Sequence, residues 1–152
     1  MKWMFAWLFS DPLPVGSTAP DFTALDEHGA QVSLSRLRGS NVVLIFYPGD
    51  DTPTCTKQLC EFRDHWQDAQ ARNTLVYGVN PAGGRSHERF RGKYKLPFPI
   101  LIDEGRRIAG LYNASGLIVK RTVYLIGPDG SIRYAMRGKP QVPDVLQSAV
   151  VK

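Results

Sequence analysis

The chain has only 2 cysteines and 3 histidines in 152 residues. Two cysteines are too few for the disulfide framework of a small secreted scaffold. They form no Cys-x-x-Cys pair, and His28, His65 and His87 show no ligand spacing, which argues against both a metal site and a dithiol reductase. No stretch approaches the roughly 18 consecutive apolar residues of a membrane span. Acidic residues are in deficit, with Asp plus Glu at 14 against Lys plus Arg at 19, a formal charge of +5. The surplus is spread along the chain. Its densest stretch, residues 85–95, also holds Glu88, Phe90 and Tyr94, the pattern of a solvated face rather than of a nucleic-acid groove. Repeats and low-complexity segments are absent.

What is present fits one globular domain. The 43% hydrophobic and 22% charged fractions are ordinary, and a chain of this length buries about two-thirds of its unfolded surface without a staple. We divide it into an apolar extension, residues 1–14, and a folded domain, residues 15–152. In the extension Lys2 precedes an apolar, aromatic-rich run from Trp3 to Phe9, and Ser10-Asp11-Pro12-Leu13-Pro14 then breaks regular structure. The run only just reaches the length of a secretory core, and two prolines separate it from the small residues Ser17 and Ala19. A membrane contact through residues 3–9, an oligomer contact and a segment folded back on the body are the readings left open. A cytoplasmic location is the expectation, with secretion or membrane association through this segment as the alternatives.

Beyond residue 15 the pattern alternates between strands and helices. Val42 to Tyr47 is a continuous apolar run, a strand buried on both faces. From Thr52 to about Arg72 the spacing of Leu59, Phe62, Trp66 and Ala69 marks one helix. Strands are expected at Leu75–Val79, Phe98–Ile102, Thr122–Ile126 and Ser131–Met136, the last two joined by the turn Gly127-Pro128-Asp129-Gly130. Helices are expected at Ser86–Tyr94, Arg106–Leu111 and Val142–Val150. The fold class is α/β, a central mixed sheet with helices on both faces.

Chemistry concentrates where the first strand runs into the first helix. Thr52 suits the N-cap and Pro53 the first helical position, which makes Cys55 the third residue of the helix. Its sulfur then lies among unpaired N–H groups at the positive end of the helix dipole, a placement that favours the reactive thiolate. Asp50 and Asp51 push the other way, so a cation from elsewhere would help. Cys55 shares a stripe with Leu59, Phe62 and Trp66 and should face the sheet. Cys60 follows five residues later. On an ideal helix the two Cα atoms are about 8.5 Å apart, beyond disulfide reach, so any bond between them requires the first turns to unwind.

The run Phe46-Tyr47-Pro48-Gly49-Asp50-Asp51-Thr52-Pro53-Thr54-Cys55-Thr56, with Cys60 and Phe62-Arg63-Asp64, resembles the active-site segment of peroxiredoxins of the Q, or bacterioferritin comigratory protein, branch. The resemblance extends to Val15-Gly16-Ser17-Thr18-Ala19-Pro20-Asp21-Phe22, to Tyr94-Lys95-Leu96-Pro97-Phe98-Pro99 and to Arg121-Thr122-Val123-Tyr124-Leu125-Ile126. It implies a thioredoxin-like fold, a peroxide substrate, a thioredoxin-type reductant, a monomer, and no metal, haem or flavin cofactor. It makes Cys55 the peroxidatic cysteine, oxidised to a sulfenic acid, and Cys60 the resolving cysteine of the same chain. Thr52 would hydrogen-bond the sulfur and the peroxide, and Pro48 would shield the sulfur. Arg121 would supply the needed cation. Spacing alone makes Lys120 and Arg121 a solvated strand edge, and only the family motif singles out Arg121. A one-cysteine peroxidase and a thiol redox sensor or holdase are the alternative functions. Thr54 stands where the branch often has glycine, Gly127 where aspartate is common, Pro81-Ala82-Gly83-Gly84 is unusual, and the stretch from Leu111 to Val119 looks short.

Overall fold

The computed structural model describes residues 11–151. The apolar run Trp3–Phe9, with its membrane and oligomer readings, lies outside the described residues. Residues just after it are tied to the body: the Leu13 N–H donates to the Tyr124 hydroxyl at 2.9 Å, and the Asn113 amide donates to the Asp11 carbonyl at 3.4 Å.

The apolar run from Asn41 forms β3 (Asn41–Phe46), the middle of a five-stranded sheet and buried at every position. The sheet has the order β5–β4–β3–β6–β7, with β4 (Thr74–Asn80), β5 (Ile100–Ile102), β6 (Thr122–Ile126) and β7 (Ile132–Arg137). β4 and β5 run parallel to β3, because helices carry the chain back between them, β6 runs antiparallel to β3, and β7 runs antiparallel to β6. Gly127–Gly130 closes the β6–β7 hairpin. The Gly130 N–H donates to the Gly127 carbonyl at 2.9 Å, and Gly130 sits at φ +85°, a conformation glycine adopts without strain. β1 (Thr23–Leu25) and β2 (Gln31–Ser33) form a separate two-stranded ribbon. Their three-residue length gives no readable alternation, so neither is visible in the sequence.

Successive side chains of β3 point to opposite faces, and each face has its own core. Val43 and Ile45 join Cys55, Leu59, Phe62, Phe90, Phe98, Val145 and Leu146 on one side. That side is covered by α1 (Pro53–Asp64), α2 (Trp66–Ala71), α3 (Gly84–Tyr94) and α5 (Val142–Gln147). Val42, Leu44 and Phe46 join Phe22, Ile108, Tyr112, Tyr124 and Ile126 on the other, under α4 (Arg107–Leu111). Each aliphatic side chain buried this way contributes about 1.5–3 kcal/mol. α4 is short, and Asp103 fixes its start: the carboxylate accepts from the Ile108 and Ala109 N–H groups at 2.7 and 2.9 Å.

The sequence predicts one helix from Thr52 to about Arg72, and the structure breaks it at His65. The His65 backbone turns to φ −107°, ψ 18°, and its N–H bonds back to Phe62 and Arg63 carbonyls. The break redirects the chain so that the Trp66 ring reaches Phe98, with centroids 6.2 Å apart. Tertiary packing of that indole overrides a periodic pattern that would otherwise continue.

Candidate active site

β3 delivers the chain to the carboxyl end of the sheet, and Tyr47, fully buried, is the last residue before the bend. Gly78 of β4 makes room for the Tyr47 ring: a Cβ there would come within 3.2 Å of Tyr47 Cε1 and 3.3 Å of Ile100 Cγ1. Pro48 and Gly49, both half-buried, carry the bend, and Asp51 takes a left-handed φ of 55° that Asp tolerates better than most residues. Thr52 is the extended N-cap, at φ −87° and ψ 151°, and Pro53 follows at the first helical position. The first helical bond runs from the Thr56 N–H to the Thr52 carbonyl at 2.8 Å. The N–H groups of Thr54 and Cys55 are thus the free donors at the helix mouth. The Thr52 hydroxyl does not cap them: it donates to the Gly49 carbonyl at 3.2 Å, staples the loop below it and leaves the sulfur's surroundings open.

Cys55 is 0% exposed and packs with Leu59 and Phe62 against the sheet. Arg121 reaches it from the neighbouring strand. Thr122, the first residue of β6, is paired in register with Phe46, the last of β3, so the residue before β6 stands beside the residues after β3. The Arg121 guanidinium donates through Nη2 to Cys55 Sγ at 3.3 Å and through Nη1 to Gln58 Oε1 at 2.8 Å. Gln58 is buried and donates onward to the Gly138 carbonyl at 3.2 Å. The Gly138 N–H in turn bonds the Arg121 carbonyl at 2.8 Å. Helix mouth and guanidinium therefore place positive potential on one sulfur from two directions.

The two aspartates each have their own partners. Asp51 is exposed; it pairs with Lys93 Nζ at 2.8 Å and accepts from the Tyr94 hydroxyl at 2.6 Å. The Lys93 bond, then that of Tyr94, lowers its carboxyl below the usual range and raises the Lys93 ammonium. Asp50 is buried and accepts from the Tyr47 hydroxyl at 2.6 Å, the Ser86 hydroxyl at 2.7 Å and His87 Nδ1 at 2.6 Å. Burial alone would raise its carboxyl, but the bonds from His87, Tyr47 and Ser86 and the His87 charge outweigh it and the net direction is down. The positive charge of Arg121 is thus left to the sulfur.

Cys60, also a free thiol, lies half-buried further along α1, where burial pushes its thiol up against the opposing pull of Arg63. Cys55 and Cys60 share one intact helix, so the structure brings Cys55, Arg121 and the Pro48–Thr52 loop together and holds Cys60 apart from them. Sequence reasoning missed Gln58, although its place three residues after Cys55 puts it on an adjacent helix face. It also missed Tyr47, Ser86 and His87, which meet Asp50 only in the fold. Among the described residues no group of three or more His, Cys, Asp or Glu is placed to hold a metal ion, and no helix is long and apolar enough to cross a membrane.

A mixed sheet with a cysteine at the mouth of the helix after its central strand, under an arginine from the next strand, defines a thioredoxin-like thiol protein. Its backbone overlays on the crystal structure of peroxidoxin BcpB from Mycobacterium tuberculosis with a TM-score of 0.82 and 28% identity, covering 88% of this chain and 94% of that one. Residues 15–135 match the AhpC/TSA family, and the chain belongs to it. Similar relatives include the chloroplastic peroxiredoxin Q of Oryza sativa subsp. japonica, 40% identical over 123 residues, 78% of this chain and 57% of that protein. A peroxiredoxin bcp of Coxiella burnetii is 38% identical over 129 residues, 79% of this chain and 85% of that protein. The chain thus spans little more than half the length of the rice relative.

Proposed function

We propose that the chain is a thiol-dependent peroxidase that reduces hydrogen peroxide and organic hydroperoxides. The observation that carries this reading is the Arg121 guanidinium 3.3 Å from Cys55 Sγ at the mouth of α1. The Cys55 thiolate attacks one oxygen of the O–O bond. That bond breaks, sulfur becomes a sulfenic acid, and the other oxygen leaves as alkoxide or hydroxide and takes up a proton. Arg121 stabilises the charge that develops on the leaving oxygen as well as the thiolate. The Thr52 hydroxyl, once released from the Gly49 carbonyl, would hold the peroxide, and Pro48 would shield the sulfur from water. Cys60 then attacks the sulfenic sulfur, water leaves, and a Cys55–Cys60 disulfide forms after the first turns of α1 open. A thioredoxin-type dithiol reduces it by exchange. Such pools belong to a reducing compartment, which supports a cytoplasmic place of action, and a pair within one chain needs no second subunit, which supports a monomer.

Intact mass after one equivalent of hydrogen peroxide on the reduced protein tests the reading. A monomer lighter by about two mass units supports the Cys55–Cys60 pair. A gain of about sixteen, or a covalent dimer, leaves a peroxidase in which Cys60 does not resolve Cys55. An unchanged mass within seconds sinks the peroxidase.

A further inference from the structure

We propose that His87 is a buried cation that cancels the charge of Asp50 and bolts the Tyr47–Thr52 loop to α3, a positioning residue for Cys55. The hydrogen-bond circuit around it is closed. The Tyr47 hydroxyl and His87 Nδ1 both meet the Asp50 carboxylate, at 2.6 Å each. His87 Nε2 meets the Asn80 carbonyl at 3.1 Å, and the Asn80 amide returns to the Tyr47 carbonyl at 2.8 Å. The four residues come from the end of β3, the loop, the end of β4 and α3. Ser86 adds its hydroxyl to Asp50 from the same turn of α3.

The protonation state follows from what each nitrogen faces. A backbone carbonyl only accepts, so the Asn80 oxygen requires a proton on Nε2. A carboxylate also only accepts, so Asp50 requires a proton on Nδ1. The alternative, a protonated Asp50 donating to a bare Nδ1, would set a neutral acid where three donors converge and where those donors hold the carboxyl ionised. His87 is therefore an imidazolium, 0% exposed, paired with a carboxylate that is 5% exposed. Removing one partner of such a pair leaves a buried charge uncompensated.

That charge matters at the sulfur. Tyr47 and Cys55 belong to one packed cluster, and the Tyr47 phenol, raised mainly by burial, also feels the negative charges of Asp50 and of Cys55. With Tyr47 between them, an uncompensated Asp50 would act on the Cys55 thiolate and oppose Arg121. The groups meeting the pair are Tyr47 just after β3, the Asn80 carbonyl from β4 and Ser86 from α3, none of them a cation; Glu27, whose charge also reaches Tyr47, is paired with Arg91 one turn further along α3.

The consequence for catalysis rests on the peroxidase reading, but the test does not use peroxide. In a Cys60→Ser background, the rate of iodoacetamide alkylation of Cys55 is followed against pH for the parent, His87→Gln, and Asp50→Asn with His87→Gln. The single change is expected to slow alkylation roughly fivefold to tenfold just below neutrality, because it strands the Asp50 charge. The double change is expected to restore the rate to within about twofold, a cycle that a merely structural clamp would not close. A single variant that alkylates like the parent, or a double variant as slow as the single one, overturns the proposal. Imidazole nitrogen resonances of His87 in the unaltered protein give an independent readout: protons on both nitrogens at neutral pH support it, and one bare nitrogen overturns it. A chain that alkylates as expected but leaves peroxide untouched loses the peroxidase reading and keeps this one. A chain that reduces peroxide while His87→Gln alkylates like the parent loses this one alone.

Discussion

The two faces of the central sheet are built to different ends. The face under α4 is a stack of aromatic rings, with Phe46, Tyr112 and Tyr124 meeting at centroid distances of 5.3–6.0 Å. The hydroxyls of that stack meet backbone: the Tyr112 hydroxyl donates to the Pro20 carbonyl at 2.6 Å, and the Tyr124 hydroxyl donates to the Tyr112 carbonyl. The face under α1 and α3 places Cys55, Gln58, Arg121, Asp50 and His87 at one end of the same strands, and those side chains bond one another. One face spends its polar groups on closing the chain, the other on setting charge around a sulfur.

The contrast can be tested from either side. Tyr112→Ala removes the hub of the aromatic stack and is expected to cost about 3–5 kcal/mol of stability in denaturant unfolding, with Cys55 alkylation in the folded protein unchanged. A slowed thiol would show that the faces are coupled through Phe46. Arg121→Met acts the other way round. It should slow peroxide reduction by about a hundredfold, since a lost transition-state donor is worth a few kcal/mol, while the unfolding midpoint moves little. An unchanged rate would remove Arg121 from the site.

Acid supplies the smallest effect. The Asp50 carboxyl is held below its unfolded value, so the stability it contributes is complete above about pH 4, the ordinary carboxylate range, and is lost only as pH falls further through the folded value. Asp50→Asn should flatten that low-pH limb of the stability curve. The exposed pair of Asp51 and Lys93 is screened by water and should leave no comparable limb. An equal loss on Asp51→Asn would mean the burial of Asp50 confers nothing.

Much of this arrangement is legible in the sequence because it is local. The apolar run of β3, the Thr52-Pro53 start of α1 and the hairpin at Gly127–Gly130 each rest on residues adjacent in the chain. The resemblance adds the one distant partner, Arg121. What escapes is what the fold alone assembles. His87 comes to Asp50 from 37 residues away, and no spacing rule joins a loop aspartate to a residue in the next crossover helix. The Thr52 hydroxyl shows the same limit at short range: its position is readable, but its choice of the Gly49 carbonyl over the helix N–H groups depends on the bend at Pro48 and Gly49. The break at His65 escapes because Trp66 continues the periodic stripe while packing on Phe98.

That break also sets how α1 can yield. The helix is 12 residues long and its end at His65 isolates it from α2. Opening it from the N-terminus past Gln58 leaves only Leu59–Asp64, under two turns, far short of the about 12 residues at which helices hold in water without support. If α1 opens as the proposed disulfide requires, the single residue His65 between it and α2 is the stop, and the distance between the two thiols would have two settings, as in a latch, rather than the continuous range of a spring.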